Sequence, residues 1–145
     1  MAIAQAVCNS FKQQILEGQH NFATGGNVFK LSLYTSAANL SASTTVYTST
    51  NEVANTGQYS AGGGTLTGQQ TSLDTGVAIV DFADLSFTGV TLTAAGALIY
   101  NTSASNKAVC VLDFGSDKTS ITSLTVQFPT ANSSNAIIRI TWWHL

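Results

Sequence analysis

Residues 97–114 read A-L-I-Y-N-T-S-A-S-N-K-A-V-C-V-L-D-F and give the clearest structural signal in the chain. Two apolar runs, 97–100 and 108–114, flank a polar break at 101–106 that is too short for a helix and rich in turn formers. This pattern predicts a β-hairpin. Because the runs are nearly continuously apolar rather than alternating, we expect both faces of the hairpin to be covered, as in the centre of a packed sandwich.

Further strand signals surround the hairpin. Residues 28–34 alternate in polarity, which is typical of a half-buried strand. The remaining strand signals lie at 65–71, 77–82, 90–93, 121–128 and 136–142, with a weaker one at 44–48 and turn-prone clusters at 74–76 and 115–117. Seven or eight short strands predict an all-β domain over 28–142, either a jelly-roll-like β-sandwich or a barrel.

The N-terminal region has a different period. Ile3, Val7, Phe11 and Ile15 recur every four residues, which predicts one amphipathic helix over 3–17, ended by Gly18. No later stretch shows this period. A chain of 145 residues with one helix and one run of strands is expected to form a single domain over 1–145.

The segment 35–64 is rich in Ser, Thr, Asn, Ala and Gly. Loops of this length are uncommon in compact domains and are often functional. We therefore interpret it as an arm or lid that contacts other molecules. Its aromatic and charged side chains are Tyr47, Glu52 and Tyr59. The two tyrosines are predicted interface residues.

Composition limits the partners. Charged residues make up 8% of the chain, against about 25% in an average soluble domain, and the net charge is −2. So few cations argue against nucleic acid as a partner, and a nearly neutral surface favours self-association into a homo-oligomer. The start of the sequence has no signal-peptide pattern and no apolar run long enough for a membrane span, so we expect a cytoplasmic protein without a membrane partner.

The sequence does not indicate catalysis, a metal or a cofactor. Asp113-Phe114-Gly115 spells a kinase triplet without the other kinase motifs, and it is interpreted as a strand end whose aspartate bonds nearby backbone amides. Asp81 and Asp84 are interpreted as solvated caps rather than an acid–base pair. The only cysteines, Cys8 and Cys110, have no zinc-site spacing, and Cys110 is expected to be a buried free thiol rather than a disulfide or redox residue.

Trp142 and Trp143 are adjacent near the end of the sequence. Neighbouring residues on a strand point to opposite faces, so one indole can enter the core while the other points outward. Two interpretations stay open for this pair. It caps the end of the β domain, or it contacts another subunit as part of an interface.

Several segments resemble a family of small tailed-bacteriophage proteins, and the likeness covers nearly the whole chain. These segments are N-S-F-K-Q-Q-I-L-E-G (9–18), F-K-L-S-L-Y-T-S-A-A-N-L-S-A-S-T-T-V-Y (29–47), N-E-V (51–53), G-G-G-T-L-T-G (62–68), V-D-F-A-D (80–84), G-A-L-I-Y-N (96–101), A-V-C-V-L-D-F-G-S-D (108–117) and A-I-I-R-I (136–140). A helix before a β domain of this size is also similar to phage capsid cement (decoration) proteins, which often have a jelly-roll fold. Residues 141–145 depart from the pattern, which usually stops near Ile140.

The resemblance implies a structural virion protein that is assembled in the host bacterial cytoplasm. The first prediction is a capsid cement protein on the capsid exterior, with the major capsid protein and other copies of itself as partners. The alternative is a tail or fibre component involved in host receptor binding, and a third candidate is a small glycan-binding or hydrolytic module. A receptor binder should gather exposed aromatic side chains and carboxylates in one groove, whereas a cement protein should use flat protein contacts.

Overall fold

Three antiparallel sheets and one α-helix form the part of the chain that the computed structural model describes, residues 2–141. The predicted class, an all-β sandwich with an N-terminal helix, is confirmed. The elements in chain order are β1 (Ala6–Val7), α1 (Asn9–Leu16), β2 (Phe29–Tyr34), β3 (Gly64–Thr65), β4 (Gln70–Asp74), β5 (Val77–Asp81), β6 (Leu85–Thr88), β7 (Leu92–Asn101), a 3₁₀ turn (Thr102–Ala104), β8 (Lys107–Ser120), β9 (Ser123–Val126) and β10 (Ile138–Ile140).

The predicted hairpin lies at the centre of the largest sheet. This five-stranded sheet has the order β1-β8-β7-β2-β3, so β7 and β8 both have neighbours on each side. Leu98 on β7 pairs with Val111 on β8, and both side chains are fully buried. The prediction of a covered, central hairpin is confirmed, and its physical basis is the unbroken apolar character of both strands.

Strand β8 continues through the predicted turn at 115–117. The pairing with β7 jumps from Gly96 opposite Asp113 to Ala94 opposite Lys118, so the extra residues of β8 form a bulge. Gly115 has φ +81°, a conformation that residues other than glycine rarely adopt. The turn-forming residues are therefore used inside a strand, because β7 extends far enough back to pair with the far side of the bulge.

The helix is shorter than predicted. The sequence predicts a helix over 3–17, whereas α1 spans only Asn9–Leu16. Ala6 and Val7 instead form β1 and pair with β8, and Ile3 forms a bridge with Leu40. The four-residue spacing of apolar side chains was misleading before Cys8, because the free backbone edge of β8 takes up these residues as a strand.

Two smaller sheets accompany the five-stranded sheet. In the three-stranded sheet, β5 pairs with β4 and β10, and the predicted turn at 74–76 joins β4 to β5 with Thr75 and Gly76 at positive φ. Strands β6 and β9 form a two-stranded sheet, and β6 was not predicted. The strand predicted over 65–71 is divided into β3 and β4 by Gly68 at φ +65°, and the one predicted over 90–93 is the start of β7.

The segment 35–63 is attached to its own domain, and the prediction that this arm contacts other molecules stays a prediction. Isolated bridges join Tyr34 to Glu52 and Val46 to Lys107, the latter being all that forms of the strand predicted over 44–48. Leu40 and Val53 are buried in the core. These anchors are single residues separated by polar ones, and such spacing gives no strand or helix period in the sequence.

Different parts of the chain pack on the two faces of the five-stranded sheet. One face carries Phe29, which stacks on Phe22 with ring centroids 4.3 Å apart and contacts Phe82 at the end of β5. The opposite face carries Tyr100, against which Tyr47 of the segment 35–63 stacks. Both faces are thus buried, as the apolar runs of the hairpin require. Among the described residues, no helix is long and apolar enough to cross a membrane.

Candidate functional site

The predicted interface residues Tyr47 and Tyr59 both belong to a cluster around Glu52. The Tyr47 hydroxyl donates to Glu52 Oε1 at 2.6 Å, and the backbone N–H of Gly62 donates to Glu52 Oε2 at 2.8 Å. The Tyr100 hydroxyl donates to the Gly62 carbonyl and so closes the cluster over the sheet. Both carboxylate oxygens are engaged within the domain, so the cluster fastens residues 47–62 to β7.

Tyr59 is fully buried within the single chain, and its role as an interface residue stays a prediction. Its hydroxyl accepts from the Leu33 N–H at 2.8 Å and lies 3.4 Å from the Leu33 carbonyl, to which it donates. The adjacent Gly63 has φ +84°, and a Cβ there would collide with the Leu31 carbonyl. The phenol therefore continues the hydrogen bonding of the β2 edge at the point where β3 ends.

All four tyrosines of the chain have a raised pKa. Burial, opposed in part by hydrogen bonding, raises the pKa of Tyr34 to about 12, and burial together with the Glu52 charge raises that of Tyr100 to about 12. The same causes raise the pKa of Tyr47 and Tyr59. Every phenol stays protonated at neutral pH. These groups can donate hydrogen bonds, but they cannot serve as general bases or phenolate nucleophiles.

A second polar cluster surrounds His20, which is buried. Asn101 Nδ2 donates to His20 Nδ1 at 3.0 Å and to Asn27 Oδ1 at the same distance. Because Nδ1 accepts, the neutral ring carries its hydrogen on Nε2 and donates it to Gln14 Oε1 at 2.8 Å. Burial, and secondly the charge of Lys107, lowers the pKa of His20 to about 4. The cluster links α1, the connection to β2 and the turn between β7 and β8.

Three aspartates, Asp74, Asp84 and Asp113, accept hydrogen bonds from backbone N–H groups. Asp113 Oδ1 accepts from the Gly115 N–H at 2.9 Å, as predicted for an aspartate that bonds nearby backbone, and Asp84 Oδ1 accepts from the Phe128 N–H at 2.9 Å. Cys110 is a buried free thiol as predicted, and Cys8 is another. Burial raises the pKa of Cys8 to about 11 and that of Cys110 to about 12. Within residues 2–141, no group of three or more His, Cys, Asp or Glu could hold a metal ion.

An open apolar groove of about 450 Å³ separates α1 from the three-stranded sheet. Ile138 and Ile140 on β10 pair with Val80 and Ala78 on β5, so these four side chains share one face of that sheet. We call this cavity the α1 groove. Its lining consists of Phe11, Ile15, Gly18, His20, Asn21, Phe22 and Ala23 on one side and Thr71, Ala78, Ile79, Val80, Ile138 and Ile140 on the other.

Apolar side chains remain exposed beside the α1 groove. Leu16 follows the lining residue Ile15 and is 88% exposed, and Leu73 lies on the same face of β4 as Thr71 and is 77% exposed. Ile140 itself is 55% exposed. Leu16 and Leu73 lie within two residues of a lining residue, and Ile140 is itself part of the lining; exposed apolar side chains near an apolar groove suit protein contact.

The sequence did not identify the α1 groove. Its walls come from three stretches that are far apart in the chain, 11–23, 71–80 and 138–140, and no local pattern in the sequence connects them. The predicted interface residues Trp142 and Trp143 lie outside the described residues. Of the predicted site residues that are described, the structure brings Tyr47 and Tyr59 to the same side chain, Glu52, and neither lines the α1 groove.

Comparisons of the chain with models of protein families, with curated proteins and with solved structures find no match.

Proposed function

We propose that the chain is a structural virion protein of a tailed phage, a capsid cement (decoration) protein that binds and stabilises the major capsid protein shell from outside. The observation that carries this proposal is the α1 groove with its exposed neighbours Leu16, Leu73 and Ile140 on a domain with very few charges. Exposed apolar side chains beside an apolar groove suit contacts with another protein subunit. The resemblance of the sequence to small tailed-phage proteins gives the proposal its biological setting.

The geometry favours a cement protein over a receptor-binding tail component. A receptor or glycan site would present exposed aromatic side chains and a free carboxylate in one groove. Tyr47 and Glu52 form the nearest arrangement to this, but they bind each other, and Tyr47 is stacked on Tyr100 with ring centroids 4.7 Å apart. The α1 groove contains no carboxylate among its lining residues.

Copy number in purified virions tests the proposal directly. Quantitative mass spectrometry of the phage that encodes the chain should give the ratio of this protein to the major capsid protein. A cement protein is expected in hundreds of copies per particle, in a fixed ratio to the shell subunits. A few to tens of copies would place the chain in the tail, and absence from washed particles would remove the virion role altogether.

The surface can be tested with two matched substitutions. Leu73→Asp adds a charge beside the α1 groove, whereas Ile121→Asp adds the same charge at an equally exposed position, 77%, after β8. With capsids assembled without this protein, we expect Leu73→Asp to weaken binding about tenfold or more, as for an apolar side chain in an interface centre. Ile121→Asp should bind like the unaltered chain, and equal weakening by both would mean that the face beside the groove is not the contact.

A further inference from the structure

Strand β4 has a free side. It lies at the end of the three-stranded sheet, where it pairs only with β5, and it is the longest terminal strand among the sheets of the described residues. All of its residues except Asp74 are exposed. We propose that this edge binds β4 of a second copy of the chain, antiparallel and across a two-fold axis, so that two three-stranded sheets join into one continuous sheet.

The turn between β4 and β5 determines which backbone groups of β4 point outward. Thr75 and Gly76 have φ of +49° and +82°, which is the conformation of a two-residue type I′ turn. The pair that flanks such a turn, here Asp74 and Val77, is hydrogen-bonded. Hydrogen-bonded and non-hydrogen-bonded pairs then alternate along the antiparallel ladder, so every second residue of β4 directs its backbone groups away from β5.

The alternation leaves Thr71 and Leu73 with outward backbone groups. Ser72, between them, bonds to β5. No turn, loop or side chain within residues 2–141 bonds to the outward N–H and carbonyl groups of Thr71 and Leu73. The free edge ends at Gln69, whose carbonyl accepts from Thr24 Oγ1 at 3.2 Å. Free edges of this kind are usually blocked by lysine, proline or a bulge, and β4 has none of these.

The outward groups of β4 are self-complementary. With Ser72 opposite Ser72 of the second copy, Thr71 lies opposite the second copy's Leu73, and Leu73 lies opposite its Thr71. Each of these pairs exchanges both its N–H and its carbonyl group. This is the only register in which both residues of both copies gain partners, and the symmetry closes the contact at a dimer.

The side chains of β4 agree with this register. Asp74 is the only charged residue of the strand, and it lies opposite Gln70 of the second copy rather than opposite another carboxylate. Leu73 is the only apolar residue of the strand, and it is 77% exposed in the single chain. Because directly opposite residues share a face, Leu73 of the second copy lies beside Thr71, which lines the α1 groove. The pairing therefore covers an otherwise exposed apolar side chain in each copy.

Hydrogen exchange of the unaltered protein at two concentrations tests the pairing, with sedimentation velocity giving the fraction of dimer. We expect the amides of Thr71 and Leu73 to exchange several-fold more slowly in the mainly dimeric sample, because they become hydrogen-bonded. The Ser72 amide is bonded to β5 in both samples and is the internal control. Dimers without slower exchange at Thr71 and Leu73, or no dimers at any concentration, would overturn the proposal.

Disulfide cross-linking tests the register. Ser72→Cys places two thiols at a non-hydrogen-bonded pair whose Cα atoms are about 4.5 Å apart, within the range of a disulfide. Gln70→Cys is the matched control on the same exposed face of β4, because this register separates its two copies by about 14 Å. With oxidised glutathione, we expect Ser72→Cys to form covalent dimers about tenfold faster than Gln70→Cys.

Equal rates of cross-linking, or a faster rate for Gln70→Cys, would contradict the proposed pairing. Both experiments use the free protein without capsids, so their outcome does not depend on the proposed virion role. The copy number in virions tests that role separately.

Discussion

The Tyr59 hydroxyl hydrogen-bonds to both the N–H and the carbonyl of Leu33. The phenol accepts the Leu33 N–H, and the Leu33 carbonyl also receives the Val53 N–H at 2.9 Å. A side chain thus occupies a place on the β2 edge that a neighbouring strand would normally fill. An unpaired backbone group in the interior destabilises a protein about as much as a lost hydrogen bond, so the hydroxyl contributes to stability through the backbone that it satisfies.

Replacing this hydroxyl should therefore be costly. We expect Tyr59→Phe to lower the free energy of unfolding by about 1–3 kcal/mol, because the Leu33 N–H would be left buried without a partner. Tyr47→Phe is the matched control, since it removes a hydroxyl from a half-buried ring and leaves Glu52 within reach of water. Urea denaturation measures both, and a Tyr59→Phe protein no less stable than Tyr47→Phe would contradict this role.

His20 makes the stability of the domain sensitive to acid. Its Nδ1 accepts from Asn101, so protonation would place an N–H opposite the donor Nδ2. The pKa is about 4 in the folded chain and about 6.5 in an unfolded one, so the unfolded chain binds the proton first as the pH falls. The contribution is complete above about pH 6.5, declines between pH 6.5 and 4, and amounts to roughly 3 kcal/mol in total.

The two histidines of the chain allow this contribution to be isolated. His20→Gln should lose the part of the pH dependence between 6.5 and 4, whereas His144→Gln should keep it. The proteins differ only at the substituted histidine, so the difference between the curves reports His20. Melting temperatures measured from pH 7 to 4 check this, and parallel curves for all three would show that His20 does not titrate as described.

At the scale of elements, the β7–β8 hairpin was predictable because its signal is local. Two apolar runs beside a polar break specify the pairing without information from distant residues. Leu98 and Val111 face each other as neighbours on the same face, and both are fully buried. Only the second half of the predicted helix is a helix in the structure. The apolar spacing of the residues before Cys8 also fits a helix, but these residues pair with β8, about 100 residues away in the chain.

The position of the hairpin leads to a direct stability prediction. Leu98→Ala should lower the free energy of unfolding by about 2–5 kcal/mol, the usual result of a cavity in a well-packed core. Leu98→Asp or Val111→Asp should leave little soluble folded protein, since the charge would be buried without a partner. Thr93→Ala, on the exposed part of β7, is the control and should change stability by less than about 1 kcal/mol. An unchanged melting temperature for Leu98→Ala would contradict the central placement.

The segment 35–63 shows why the candidate site was harder to predict than the fold. Its composition resembles a disordered loop, but the Tyr47 N–H donates to the Asn106 carbonyl and the Val53 N–H to the Leu33 carbonyl. These partners belong to β2 and to the turn before β8, and no local pattern in the segment identifies them. Tyr47 and Tyr59 were recognised as unusual side chains, but only the fold reveals that they point inward.

Hydrogen exchange on the free protein tests this attachment. We expect the amides of Tyr47 and Val53 to exchange at least tenfold more slowly than in an unstructured peptide, because exchange requires the segment to open. The amide of Thr50, which bonds only the nearby Thr48 side chain, should exchange faster and is the internal control. Uniformly fast exchange across 35–63 would show that the segment is not held against the sheet.

At the scale of the whole molecule, solubility depends on very few charges. With 8% charged residues and a net charge of −2, little electrostatic repulsion opposes contact between copies. We therefore expect sedimentation to show concentration-dependent self-association at neutral pH. Leu73→Asp should shift the equilibrium towards monomer more than Ile121→Asp does, and a chain that stays monomeric at all concentrations would contradict the predicted homo-oligomer.

The register between β1 and β8 has a consequence for biosynthesis. Ala6 pairs with Val111, so β1 and its partner strand are separated by about 100 residues of sequence. The central hairpin is also late in the sequence, and β2 must wait for β7 before it gains its main neighbour. Pairings this distant slow folding and postpone it. β2 can therefore pair with β7 only after β7 has been synthesised, and an unpaired apolar strand of this kind favours aggregation until then.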